Sequence, residues 1–198
     1  MKKAINVLCV FSLFLLACNQ TDRWDKSGNN SKNDLVQNLG ISKTIQVNEI
    51  RYSVEYRPTE AIIETERLSD KEQEKRLEEL SEVYWFNIKI SVDGFDQSPL
   101  RYGINNLDEF NQRLDYYLNY AMADIWITCQ KDTLMPISYL FENNQNLISH
   151  ETIIVGFDKT KIQGNVLQLA FNDRVLKSGI IKATFNIKDL NKTAELTD

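Results

Sequence analysis

Ile125-Trp126-Ile127-Thr128-Cys129-Gln130-Lys131-Asp132-Thr133-Leu134 is the stretch that separates this chain from an all-helical or alternating α/β protein. Ile125, Ile127 and Cys129 recur at every second position, the period of a half-buried strand. Gln130 to Thr133 is a polar turn, and Leu134 to Phe141 reads as the second arm of a hairpin. Pro136 belongs at the edge of that arm or at a bulge, because it has no N–H to give to a ladder. Three further strands are predicted: Thr152–Phe157, Val166–Phe171 and Ile180–Ile187. In the last, Ile181, Ala183, Phe185 and Ile187 point inward, and Lys182, Thr184, Asn186 and Lys188 point outward. Outward lysines protect an edge from pairing with other chains.

Upstream, strands alternate with helices. Ile45 to Tyr56 alternates Ile50, Tyr52, Val54 and Tyr56 against Arg51, Ser53 and Glu55, and Pro58 interrupts it. Ala61-Ile62-Ile63 either extends this strand or leads into a helix. Ser69-Asp70-Lys71-Glu72 is a capping box that opens a helix running to about Glu82. Its stripe of Leu77 and Leu80 is thin, and Glu72–Arg76 and Lys75–Glu79 pair four residues apart, which marks a solvated surface helix. Val83–Val92 is a strand that Asp93-Gly94 turns. Asn106 and Glu109 then open a second helix, with Leu107, Phe110, Leu114, Tyr117, Leu118 and Ala121 as a wide core-facing stripe bordered by Tyr116 and Tyr120. The order predicts an α+β domain over 44–198: mainly an antiparallel sheet or sandwich with two amphipathic helices packed on it.

The first eighteen residues have a different character. Lys2 and Lys3 precede an apolar run from Ala4 to Leu16, and Leu15-Leu16-Ala17-Cys18 closes it. A short basic region, a greasy segment and a small residue at the cut are the parts of a secretory signal peptide. The run is too short for a membrane span of roughly 20 apolar residues, and Asn6 and Ser12 interrupt it. From Asn19 to about Lys43, Asn, Ser, Asp, Lys and Gly dominate, with Trp24 the only large apolar residue before Leu35. Such a composition buries too little surface to offset ordering.

Leu15-Leu16-Ala17-Cys18 resembles the lipobox of bacterial lipoprotein precursors. The resemblance implies that residues 1–17 are removed and that Cys18 is diacylated on sulfur and acylated on its new N-terminus. Residues 18–43 then form a lipidated cysteine and flexible tether, spanning roughly 25–30 Å as a random coil. The Asn-, Lys- and Ile-rich composition resembles that of uncharacterised lipoproteins of the Bacteroidetes group. Asn19 is not the aspartate that resembles an inner-membrane retention signal in enterobacteria, which favours the outer membrane over the inner.

Charge and cysteine content narrow the partners. Taking Lys2 and Lys3 from 23 basic residues leaves 21 against 28 acidic ones, a formal charge of −7 for the mature part. Nucleic-acid binding needs a basic stripe, so that class is excluded. Of three cysteines, Cys9 leaves with the signal peptide, Cys18 is lipidated, and Cys129 remains as a buried thiol. The mature chain has no partner for an intrachain disulfide.

Candidate chemistry is sparse. His150 is the one histidine of the chain, so a multi-histidine metal site is impossible, and no metal or cofactor is expected. Cys129–His150 is a conceivable nucleophile–base pair, outweighed by a core cysteine and a solvated loop histidine. Asp93 and Asp96 bracket a Gly-Phe loop, and Asp158, Asp173 and Asp189 sit near strand ends, where aspartate usually bonds local backbone. The reading is a non-enzymatic, lipid-anchored binding or assembly module of the cell envelope, reaching an envelope protein or polymer. The alternatives are an envelope hydrolase using loop carboxylates and an immunity or inhibitor lipoprotein. Two or more acyl chains anchor stably where one does not, so Cys18→Ala is expected to shift the protein from the membrane to the soluble fraction on cell fractionation. Wild-type retention would refute the lipid anchor.

Overall fold

A computed structural model of the chain describes residues 41–66, 68–144 and 147–195. The expected signal segment 1–17, Cys18 and most of the expected tether lie outside the described residues. Strand β1 (Ser42–Val47) already includes Ser42 and Lys43, which the sequence assigns to the tether. Ile41 ahead of it is buried, and its carbonyl accepts from the Tyr56 amide at 2.8 Å. Apolar contact therefore orders the chain a few residues earlier than its polar composition suggests.

The fold is α+β with two antiparallel sheets. β2 (Ile50–Arg57), β3 (Val83–Val92), β6 (Ser138–Glu142) and β7 (His150–Asp158) join β1 in a five-stranded sheet of order β1-β2-β3-β7-β6. β4 (Ile125–Cys129), β5 (Asp132–Leu134), β8 (Val166–Asp173) and β9 (Gly179–Asn186) form a four-stranded sheet of order β5-β4-β8-β9. The helices are α1 (Thr59–Glu66), α2 (Asp70–Ser81), α3 (Leu107–Asn119) and α4 (Ile187–Glu195).

The alternation read from the sequence places the core. Tyr52, Val54, Phe86, Ile88, Ile153 and Val155 come from one sheet, Ile127, Leu169, Phe171 and Phe185 from the other, and all join one buried cluster. The rings of Phe86 and Phe185 lie 5.2 Å apart across it, and Tyr52 meets Phe171 edge-on at 6.4 Å. These contacts make the two sheets a sandwich, whose inner faces interdigitate side chains.

Four local expectations need correction. The single strand expected from Ile45 to Tyr56 is a hairpin: β1 ends at Val47, Asn48 takes a positive φ of 51° in the turn, and β2 runs back antiparallel from Ile50. The arm predicted from Leu134 to Phe141 is split: β5 stays in the smaller sheet, and β6 pairs with β7 in the larger. Pro136 sits at the crossing, where its missing N–H and fixed φ stop β5 from continuing. Of the two readings open for Ala61-Ile62-Ile63 the structure takes the helical one, burying Ile63. The strand expected to end at Ile187 stops at Asn186, where residues 187–195 form α4 and bury Leu190, so four helices are described where two were expected. The α3 stripe is narrower than predicted. Leu107 and Leu118 are 66% and 47% exposed, whereas Tyr117 and Ala121 are buried and Phe110 and Leu114 pack at the margin. A helix that caps a sandwich with one edge buries fewer rows than one lying flat on a sheet.

Capping behaves as the sequence indicates. The Ser69 amide donates to Glu72 at 3.1 Å, and Asn106 Oδ1 accepts from the Glu109 amide at 2.8 Å. With Glu72 committed to Ser69, Arg76 forks instead onto Glu66, from Nε to Oε2 at 3.0 Å and from Nη2 to Oε1 at 3.1 Å, tying α2 to α1. Lys75–Glu79 is present at 3.8 Å.

Strand register defines two ends. Tyr52 opposes Ile90, and Tyr56 opposes Phe86, four residues or about 13 Å along β2. The chain enters at the Tyr56 end through Ile41, and α4 closes the same end, where the Tyr84 hydroxyl donates to Asn191 Oδ1 at 2.7 Å. The Tyr52 end is closed by α3. Phe86 is fully buried among Tyr56, Phe157 and Phe185. Phe86→Ala is expected to cost about 3–5 kcal/mol in urea unfolding, against about 0.5 kcal/mol or less for Lys182→Ala on the exposed side of β9.

Candidate functional site

At the Tyr52 end the parity that builds the core admits two acids. Asp173 follows Leu167, Leu169 and Phe171 on the inward side of β8, and Glu151 precedes Ile153, Val155 and Phe157 on the inward side of β7. Each is 1% exposed. Buried carboxylates need several donors to remain in place, and Asp173 has four. The hydroxyls of Tyr52 and Tyr117 each donate to Oδ2 at 2.8 Å. The amides of Val175 and Leu176 donate to Oδ1 at 2.9 and 3.1 Å. Tyr52 has a single proton and gives it to the carboxylate, so Ser178, 2.8 Å away, donates to the Tyr52 hydroxyl.

Burial raises the Asp173 carboxyl above its usual range, against the pull of those four bonds. Burial, with Asp173 beside them, also raises Tyr52 and Tyr117 far above the ordinary phenol range. Ser98 donates to Glu151 Oε1 at 2.5 Å, and burial raises that carboxyl too, opposed by Ser98 and the backbone of Asn144.

An open groove lies beside this cluster, on the β5–β6 flank. The last turn of α3 supplies Tyr116 and Asn119, its C-cap Tyr120 follows, and the short 3-10 turn Ala121–Asp124 supplies Met122, Ala123 and Asp124. Met135 and Pro136, where the chain crosses between sheets, form the opposite wall. Arg174 projects from the β8–β9 turn that Asp173 holds by its amide bonds. The groove encloses about 600 Å3 and is mainly apolar. Its one carboxylate, Asp124, is buried: Oδ1 accepts from Arg174 Nη2 at 2.6 Å and Oδ2 from the Tyr116 hydroxyl at 3.0 Å. Burial, then Asp124, raises the Tyr116 phenol.

The residues singled out from sequence fall elsewhere, Asp173 excepted. Cys129 is buried at the Tyr56 end with its thiol against the Gln163 carbonyl. His150 starts β7 opposite Ser91, seven residues along β3 from Tyr84, or roughly 23 Å. The structure therefore does not join Cys129 and His150 as a nucleophile–base pair. Burial, then Lys89, lowers the His150 pKa against the pull of Glu142.

Asp93 pairs with Arg51 at 2.8 Å and accepts from Gln46 on the turn after β3, and Asp96 is exposed nearby. Asp158 caps a 3-10 turn through Thr160, and the Thr160 hydroxyl, then Lys161 at 3.1 Å, holds its carboxyl below the usual range. Asp189 lies in the first turn of α4. Asp173 does bond local backbone as expected, but its other oxygen gathers two distant tyrosines. Glu151, Asp124 and Arg174 were missed. For Glu151 the signal was its inward parity with three apolar residues; for Asp124 and Arg174 sequence has no signal, because 50 residues separate them.

Among the described residues no group of three or more His, Cys, Asp or Glu could hold a metal ion, and no helix is long and apolar enough to cross a membrane. The two acids that burial shifts upward sit inside the core and do not line the groove. No family model matches the chain, and no curated protein or solved structure matches it either.

The tyrosines determine the alkaline limit. A phenol whose folded pKa is raised keeps its proton in the native state after the unfolded chain releases it. Stability is therefore intact below about pH 10 and falls above it, by about 1.4 kcal/mol per pH unit for each such group. Phenolate absorbance of the wild type is expected to rise cooperatively with unfolding. Tyr117→Phe should cost about 1.5–3 kcal/mol at neutral pH and flatten the alkaline slope by one proton. A noncooperative titration of all eight tyrosines near the ordinary phenol range would contradict the burial.

Proposed function

We propose that this protein is a non-enzymatic, lipid-anchored module of the cell envelope, favouring the outer membrane, that binds a partner in the groove between α3 and the β5–β6 crossing. The groove itself carries this reading. It is concave, mainly apolar, and holds a few polar groups with fixed orientation, which is the make-up of a binding site. Its one acid is bonded to Arg174 and Tyr116, as an orienting group would be, and is not left open toward a substrate.

Placement supports the same reading. The chain enters at the Tyr56 end on the β1 flank, whereas the charged wall of the groove stands at the Tyr52 end on the β6 side. A tether leading to acylated Cys18 would thus hold the groove away from the lipid surface. The acidic balance of 28 Asp and Glu against 23 Lys and Arg favours anchoring by acyl chains over adhesion to anionic headgroups.

The test is site-specific photocrosslinking in intact cells. A photoreactive residue at position 135 in the groove is expected to give an adduct of discrete mass, and the same residue at position 182 on the outer side of β9 is expected to give none. Identical patterns from both positions, or no adduct from position 135, would reject the groove as the binding surface.

A further inference from the structure

We infer that the groove accepts a small monocarboxylate with an apolar body, its head on Arg174 and its body along Met122, Met135 and Pro136. This rests on the binding reading above and names the ligand chemistry. The Arg174 side chain is 67% exposed, yet its guanidinium is not loose. Nη2 is held by Asp124 Oδ1, and Asp124 is fixed in turn by Tyr116. The backbone under Arg174 is fixed as well, since the preceding residue binds the amides of Val175 and Leu176. No other described side chain pairs with this guanidinium, so the rest of its donor fork stays available at the groove wall.

Charge and shape select the head group. An oriented guanidinium presents parallel donors that match the two oxygens of one carboxylate. Asp124, close behind, repels a second negative charge, so a phosphate dianion fits less well than a monoanion. The body follows from the walls. Met122 and Met135 are flexible, polarisable side chains that adapt to irregular apolar shapes. The cavity of about 600 Å3 lies within the roughly 300–1,000 Å3 typical of small-molecule sites. Exposed Tyr120 leaves a polar tip at the rim, where a ligand still meets water.

The methionines provide the readout. The chain has three, Met1, Met122 and Met135, and two of them line the groove. Full-length protein in lipid nanodiscs, labelled at methionine methyl groups, is titrated with octanoate and with 1-octanol, which has the same chain length and no charge. Octanoate is expected to shift both groove methyl signals saturably, and to bind at least about tenfold tighter than octanol, the scale of one good charge-assisted pair. Arg174→Gln should remove that advantage and leave octanol binding unchanged. Since that variant also strips Asp124 of its partner, Ala123→Asp provides a second arm: Ala123 is an exposed groove residue, so the change keeps the Arg174–Asp124 pair and adds a negative charge to the groove wall. It is expected to weaken octanoate selectively. Equal affinity for octanoate and octanol, no shift at either groove methionine, or wild-type octanoate binding in both variants would overturn the proposal. A discrete crosslinked adduct from position 135 together with octanoate failure would leave the binding reading standing and reject only the ligand class.

Discussion

The Asp173 carboxylate is the constraint on which the Tyr52 end of this protein depends. One oxygen gathers Tyr52 from the larger sheet and Tyr117 from α3, and the other fixes the β8–β9 turn of the smaller sheet. Three elements distant in sequence thus meet on a single side chain. A buried charge is costly to leave unpaired, so each donor has little freedom to move without exposing an unsatisfied carboxylate. Dispersion contacts such as Phe86 on Phe185 hold the sheets together, but they tolerate sliding better than four directional bonds do.

Position follows from that pin. Tyr117, held by Asp173 and stacked on Phe141 at 5.1 Å, seats α3 across the end of the sandwich. The Tyr139 hydroxyl donates to the Tyr117 carbonyl and links β6 to the same helix. The neighbouring Tyr116 reaches Asp124, and Asp124 reaches Arg174, one residue beyond the pin. The groove wall is therefore a continuation of the core network at the surface. The core acid determines where the surface cation stands, which is how a rigid scaffold presents a binding group on a turn.

Much of the fold was legible because strand parity and helix caps are local. The alternation at Ile50–Tyr56 and at Val83–Val92 marked β2 and β3, although the turn at Asn48 that separates β1 from β2 was read through as strand, and Ser69 and Asn106 marked the starts of two helices. Local signals failed where a choice depended on what lies opposite. Nothing near Leu134–Phe141 says that β5 and β6 belong to different sheets, beyond the proline that permits the crossing. Leu107 and Leu118 have the spacing of a core stripe but face solvent, because α3 caps an end instead of covering a face. Residues 187–190 continue the alternation of β9 in part, yet they coil into α4 because Leu190 finds a buried place beneath it.

The sequence by itself determined the α+β class, the inward and outward sides of most strands, the exclusion of a multi-histidine site and the lipobox-like start. Each follows from residue order over a few positions or from composition. Tertiary structure alone decided that the strands divide into two facing sheets, that Asp173 gathers two distant tyrosines and Glu151 meets Ser98, and that Asp124, Tyr116 and Arg174 converge on one groove. Those outcomes turn on the Arg174–Asp124, Tyr117–Asp173 and Ser98–Glu151 contacts, each between residues 50 or more positions apart, whose energies are set by desolvation and by hydrogen-bond geometry in three dimensions.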